Sequence, residues 1–201
     1  MEKLLLRCYV VLIAFALLFM VGCSGHETPR QGVETTEQSA VIPYDPLPSN
    51  TKSPIEEGLW QVVSVVDGDT LIIGDSADSA KQYRVRLIGS DTPEIRRPNT
   101  PIEPFGQEAS DFTKRKITDA GDRVRLSFDG DRVDRYGRTL AMVWLQLPDG
   151  NEVWLNELLI REGLAHARLD YRYSHGAKLA FAVAEVEARR NKRNLWGNGE
   201  F

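Results

Sequence analysis

The chain has 201 residues, 42% of them hydrophobic and 27% charged, which is ordinary for a globular protein and excludes a low-complexity or wholly disordered chain. Its net charge of −4 is unevenly spread, with −4 on residues 24–57 and only −1 on residues 58–201. The second part is too near neutral to grip nucleic acid by bulk charge, so any such contact must be local.

Residues 1–22 read as a secretory signal. Lys3 and Arg7 precede an apolar run from Cys8 to Val21, and Gly22-Cys23-Ser24 follows. That order is a basic start, an apolar middle and small residues at the cut. The run is short of the about 20 residues that a membrane span needs. Cys23 directly after Met20-Val21-Gly22 resembles the bacterial lipobox, in which the new N-terminal cysteine carries lipid. The alternatives are an uncleaved anchor, or an ordinary signal with an incidental cysteine. Cys8 is the only other cysteine, so the mature chain would hold no disulfide and must fold on core packing. After Cys23 the chain is polar and proline-studded to residue 57, which predicts a flexible tether over 23–57 and a domain over 58–201.

Two β-branched runs flank Asp67-Gly68, a hairpin signal. In the next strand Tyr83, Val85 and Leu87 alternate with Arg84 and Arg86, which puts Arg86 opposite the main apolar face. Phe105, Ala109, Phe112 and Lys116 or Ile117 have helical spacing, with Gly121 as a stop. Val124, Leu126 and Phe128 mark another inward-facing strand, and a strand pair surrounds Pro148-Asp149-Gly150. Asn156 is a plausible cap for a short helix ending at Gly163. A longer helix follows His175, with Leu179, Ala182, Val183 and Val186 expected on its buried side. Short strands with a helix between the third and fourth predict an α+β protein with a five-stranded Greek-key barrel, the OB-fold, and about three flanking helices.

Three segments bear polar groups that a bare scaffold does not need. Asp67-Gly68-Asp69-Thr70 needs only one aspartate to turn, yet Asp69 opens a strand, where aspartate is depleted. Asp91-Thr92-Pro93-Glu94 places two carboxylates three residues apart, with Arg86 upstream; alone it would also serve as a helix start. Asp134-Arg135-Tyr136-Gly137-Arg138 precedes a strand and alone would pass for a solvated loop.

In this order and spacing, "DGDT", "RLIGSDTPE" and "DRYGR" resemble the signature segments of the staphylococcal nuclease (thermonuclease) family. The resemblance runs from about Trp60 to Trp196 and includes "LNELLIREGLAHA" and the terminal "NLW". It implies an OB-type barrel that hydrolyses phosphodiester bonds of DNA and RNA with Ca²⁺. By motif it implies Asp69, Asp91 and the backbone carbonyl of Thr92 as metal ligands, Glu94 as general base, and Arg86 and Arg138 as phosphate-binding arginines. The chemistry agrees: a hard cation prefers oxygen ligands, a carboxylate beside it takes a proton from water, and guanidinium forks pair with phosphate oxygens.

The resemblance also leads us to expect further substrate contacts from Arg135, Tyr136 and Tyr171, with Tyr173 as an alternative to Tyr171 for stacking on a base; Leu169 stands where the family pattern would place an aromatic. Gly89-Ser90 lies where bulkier residues would also be tolerated. His166 and His175 read as non-catalytic. The basic cluster from Arg189 to Arg193 reads as a solvated helix face, with a phosphate-tracking role as the weaker option. The combined expectation is a monomeric nuclease, lipid-anchored and extracytoplasmic in a bacterial cell envelope. A non-catalytic OB-fold nucleic-acid-binding lipoprotein is the first alternative, and a purely structural envelope lipoprotein the second.

Overall fold

The alternating segments close on one another. The computed structural model describes residues 44–74, 80–95 and 101–197, all within the compact unit that spans 40–201. Strands β1 (Gly58–Asp67), β2 (Thr70–Gly74) and β3 (Gln82–Leu87) form an antiparallel meander. The two-residue β4 (Ser90–Asp91) and helix α1 (Gly106–Asp119) follow. Strand β5 (Arg123–Ser127) pairs with the free edge of β1, and β6 (Thr139–Gln146) pairs with β5. The start of β6 then lies parallel to β3 and closes a five-stranded barrel. Strand β7 (Glu152–Trp154) extends β6 as a hairpin, and α2 (Leu155–Arg161), β8 (His166–Ala167) and α3 (His175–Arg190) complete the domain. This is the expected α+β barrel with three helices. Val85, Leu87, Val124, Leu126 and Phe128 all point into the core, as their alternation predicts.

The tether ends earlier than expected. Residues 44–57 pack on the barrel, so the domain begins before residue 58. Ile55 is buried. Leu47 donates its N–H to Asp129 Oδ1 at 2.8 Å, and its carbonyl accepts from Gly130 N–H at 2.9 Å. Thr51 Oγ1 accepts from the N–H groups of Arg132 and Val133. Prolines and short polar residues hide this segment because it is held by hydrogen bonds to the barrel rather than by periodic burial. The signal and Cys23 lie outside the described residues, among which no helix is long and apolar enough to cross a membrane.

Three local expectations also change. Asn156 does not cap α2. It lies fully buried inside the helix, where Oδ1 accepts from Val143 N–H at 2.9 Å and Nδ2 donates to the carbonyls of Ile88 and Ala141. Helix α3 turns its other face inward: Ala177, Phe181, Ala184 and Ala188 are buried, while Leu179, Val183 and Val186 are exposed. Alanines allow the close approach of neighbouring elements that larger side chains would prevent. Gly89 is not replaceable by something bulkier, because it has φ +74° and a Cβ there would stand 2.6 Å from the Phe181 ring.

Candidate active site

The hairpin between β1 and β2 is pinned from beneath. Thr113 Oγ1, on α1, donates to the Gly68 carbonyl at 2.6 Å, and a Cβ on Gly68 would meet Thr92 Cγ2 at 2.7 Å. The close packing turns Asp69 inward, where it has no solvent exposure. Its Oδ2 accepts from Thr92 N–H at 2.8 Å. Its Oδ1 accepts from Thr70 Oγ1 at 3.1 Å and also pairs with Arg86.

Arg86 stands on β3 opposite Thr70 and is itself buried. One end of its guanidinium meets Asp69 Oδ1 and the other meets Asp91 Oδ1. Asp91 is placed by the pairing of β4 with β8, which sets it against His166. The fold thus brings Asp69, Arg86, Asp91 and Thr92 together. Such burial of charge is tolerable only because the charges are mutually paired and hydrogen-bonded.

Thr92-Pro93-Glu94 is not a helix start, since the helix begins at Gly106. Instead Glu94 leaves the site in an irregular stretch, with its N–H donating to Glu103 Oε2 at 3.0 Å. It lines a cavity of about 300 Å³ together with Asp91, Thr92, Phe105 and His166. Glu94 therefore shares a cavity with Asp91.

Arg138 immediately precedes β6. The parallel pairing sets Thr139 against Val85 and Leu140 against Arg86, so Arg138 arrives at the Arg86 end of the barrel. Its guanidinium faces Asp134 rather than the acidic pair, with Nε 2.7 Å from Asp134 Oδ2. Burial alone would push the Asp134 carboxyl up. Hydrogen bonds from the Arg138 backbone and guanidinium and from Tyr136 N–H outweigh that and hold it below the usual carboxylate range. Tyr136 projects into solvent with the guanidiniums of Arg135 and Arg138 within 4.8 and 5.5 Å of its ring. These are cation–π distances.

Tyr171 is half-buried and lines a second cavity, of about 350 Å³, with Arg135, Tyr136, Arg168 and Arg172. Tyr173 is excluded as a stacking surface: it is buried, and its hydroxyl donates to the Arg168 carbonyl at 2.9 Å. His166 packs edge-on against Trp196, and Arg189 lies 3.8 Å over the same indole.

Arg168 has no sequence signal and is missed. Its Nη1 lies 3.0 Å from Asp91 Oδ2, while Nε and Nη2 clasp Asp170. The Arg168 fork holds the Asp170 carboxyl below the usual carboxylate range. Among the described residues no group of three or more His, Cys, Asp or Glu side chains could hold a metal ion. The ligand set expected here is smaller, two carboxylates and one backbone carbonyl.

A barrel of this type with paired acids and arginines at one end has the makings of a phosphodiester hydrolase. The model of the staphylococcal nuclease homologue family matches residues 84–198. The thermonuclease of Staphylococcus hyicus is 44% identical over 153 residues, covering 76% of this chain and 84% of that protein. The thermonuclease of Staphylococcus intermedius is 44% identical over 137 residues, covering 68% and 75% respectively. Endonuclease YncB of Bacillus subtilis is 34% identical over 178 residues, covering 87% and 76%. The chain belongs to the staphylococcal nuclease family and is a hydrolytic nuclease.

Proposed function

We propose that this nuclease depends on calcium, hydrolyses phosphodiester bonds of DNA, RNA or both, and works at the bacterial cell envelope on a lipid carried by Cys23. The observation that carries the catalytic part is the convergence of Asp69 and Asp91 on a single cationic group, the Arg86 guanidinium. Two carboxylates that share one cation, next to the Thr92 backbone, form a donor set of hard oxygens. Such a set fits Ca²⁺. Asp69, Asp91 and the Thr92 carbonyl would hold the ion.

A Ca²⁺ ion held there would supply Lewis-acid polarisation of the phosphodiester and favour ionisation of a nearby water. Glu94 takes the proton of that water as its oxygen bonds to phosphorus. The bond from phosphorus to the opposite oxygen breaks, and that oxygen takes a proton from solvent. Arg86 and Arg138 donate to the phosphate oxygens as charge builds on them. Tyr136, with its exposed ring close to two arginines, offers a face for a base, as do Arg135 and Tyr171 from the cavity that all three line.

Purified full chain incubated with DNA and with RNA, in Ca²⁺, in Mg²⁺ and in chelator, tests the catalytic part. Degradation that needs calcium is expected. Binding without degradation under every metal condition would favour a non-catalytic nucleic-acid-binding lipoprotein. For the anchor, the short apolar run ending in Gly22-Cys23 predicts that Cys23→Ala blocks processing or releases the protein from the membrane fraction. A Cys23→Ala protein processed and retained like the parent contradicts the lipid attachment.

A further inference from the structure

We propose that Arg168 is a third phosphate-binding arginine of this site, one that rests on Asp91 and transfers to a substrate phosphodiester once Asp91 is engaged by metal. The proposal builds on the nuclease reading above and adds a residue to it.

The residue is fixed at both ends of its backbone. Its N–H donates to the Gly89 carbonyl at 2.9 Å, and its carbonyl accepts from the Tyr173 hydroxyl at 2.9 Å. The guanidinium is oriented by Asp170, with Nε–Oδ1 at 3.0 Å and Nη2–Oδ2 at 2.9 Å. That clasp leaves Nη1 aimed at Asp91 Oδ2. Three of the five guanidinium N–H groups are thereby used, and two remain for another acceptor.

Asp91 keeps its contact with Arg86 through the other oxygen when Arg168 leaves, and because Arg86 is shared with Asp69 the charge given up is one that a metal ion on the two carboxylates would replace. The Arg168–Asp91 contact is also partly open, with side-chain exposures of 41% and 35%. Exposed ion pairs contribute little to stability, so the contact exchanges readily. A metal ion on Asp91 would repel Arg168 and favour its move to an anion. The anion has a place to lie: Arg168 borders the cavity of about 350 Å³ whose wall also presents Arg135 and Arg172, and the three carboxylates of that wall, Asp131, Asp134 and Asp170, are each already paired with an arginine. Arg172 is paired there with Asp131 at 3.2 Å, so Arg135 is the neighbour better placed to meet phosphate beside Arg168.

The test separates a phosphate ligand from a brace for Asp91, because the two roles move calcium affinity in opposite directions. Calcium binding to the full chain is measured by calorimetry, for the parent, Arg168→Gln and Arg168→Lys. Binding of a single-stranded oligonucleotide is then measured across a salt series in a Glu94→Gln background, which keeps the strand intact. For Arg168→Gln we expect several-fold tighter calcium binding, since a competing cation is gone. We expect about tenfold weaker oligonucleotide binding, with a salt slope shallower by about 0.7. Arg168→Lys keeps the charge but loses the fork; it should keep the salt slope and lose part of the affinity. Weaker calcium binding together with an unchanged salt slope in Arg168→Gln would make Arg168 a brace and overturn the proposal. If the parent binds calcium and cuts nucleic acid while neither variant alters oligonucleotide affinity, only the role of Arg168 fails. If the parent does neither, the nuclease reading fails and takes this proposal with it. Thermal midpoints of all three proteins guard against misfolding, and Arg168→Lys carries the comparison should Arg168→Gln not fold.

Discussion

Glu94→Gln slows cleavage by about 10²–10⁴-fold, the range that general-base catalysis contributes. Gln keeps the size and hydrogen-bonding capacity of Glu but cannot accept the proton of the attacking water. The loss of stability that removing a helix cap would give is not expected. Glu94 caps no helix, because α1 begins twelve positions later at Gly106, and its backbone N–H bond to Glu103 does not need its own side chain. Oligonucleotide affinity in calcium should stay near that of the parent, since Asp69, Asp91, Arg86 and Arg138 are untouched. Thermal midpoint, oligonucleotide affinity and single-turnover rate, read on one preparation, check all three expectations. A Glu94→Gln protein with the parental single-turnover rate would remove Glu94 from the chemistry.

Arg86→Met has the largest expected effect on stability. It leaves Asp69, with no solvent exposure, and Asp91 without the cation they share. Removing one partner of a buried ionic group costs about 3–5 kcal/mol, mostly through the uncompensated charge. If the two carboxylates also form a calcium site, calcium supplies the missing charge. The thermal midpoint of Arg86→Met should then be low in chelator and recover in excess calcium by more than the parent gains, as ligand binding to the folded state requires. Equal depression of the midpoint in chelator and in calcium would mean that Asp69 and Asp91 hold Arg86 for structural reasons alone. Cleavage should stay impaired even in calcium, because Met offers no donors to a phosphate.

The barrel was legible in the sequence because its strands are half-buried. Val124, Leu126 and Phe128 alternate with polar neighbours, and the pleat turns that alternation into an inside and an outside. The grouping of Asp69, Arg86, Asp91 and Thr92 was legible only through the resemblance of their segments, in order and spacing, to those of a known family, because alone each would pass for a turn, a strand or a helix start. What stayed hidden depends on distant partners. Arg168 meets Asp91 across 77 positions, and no local pattern reports such a contact. Asn156 sits in a helix-start context, yet its amide joins three segments of the interior. The buried face of α3 is hidden because the size of its apolar residues points to the other side. The helix packs instead through Ala177, Ala184 and Ala188 around one Phe181, and leaves Val183 and Val186 in solvent. The strap from residue 44 to 57 reads as linker because its hold on the barrel runs through hydrogen bonds at Leu47 and Thr51, the ring contacts of Tyr44 and one buried Ile55.

Single-turnover cleavage of an oligonucleotide across a calcium titration, with the full parent chain beside Asp91→Ala, tests the central claim most directly. The parent should show no cleavage in chelator and a rate that saturates with calcium. Asp91→Ala should be inactive, or should need far more calcium to reach any rate, because a ligand carboxylate is gone. Cleavage by the parent in chelator, or the same calcium dependence in both proteins, would contradict a calcium site built on Asp69 and Asp91.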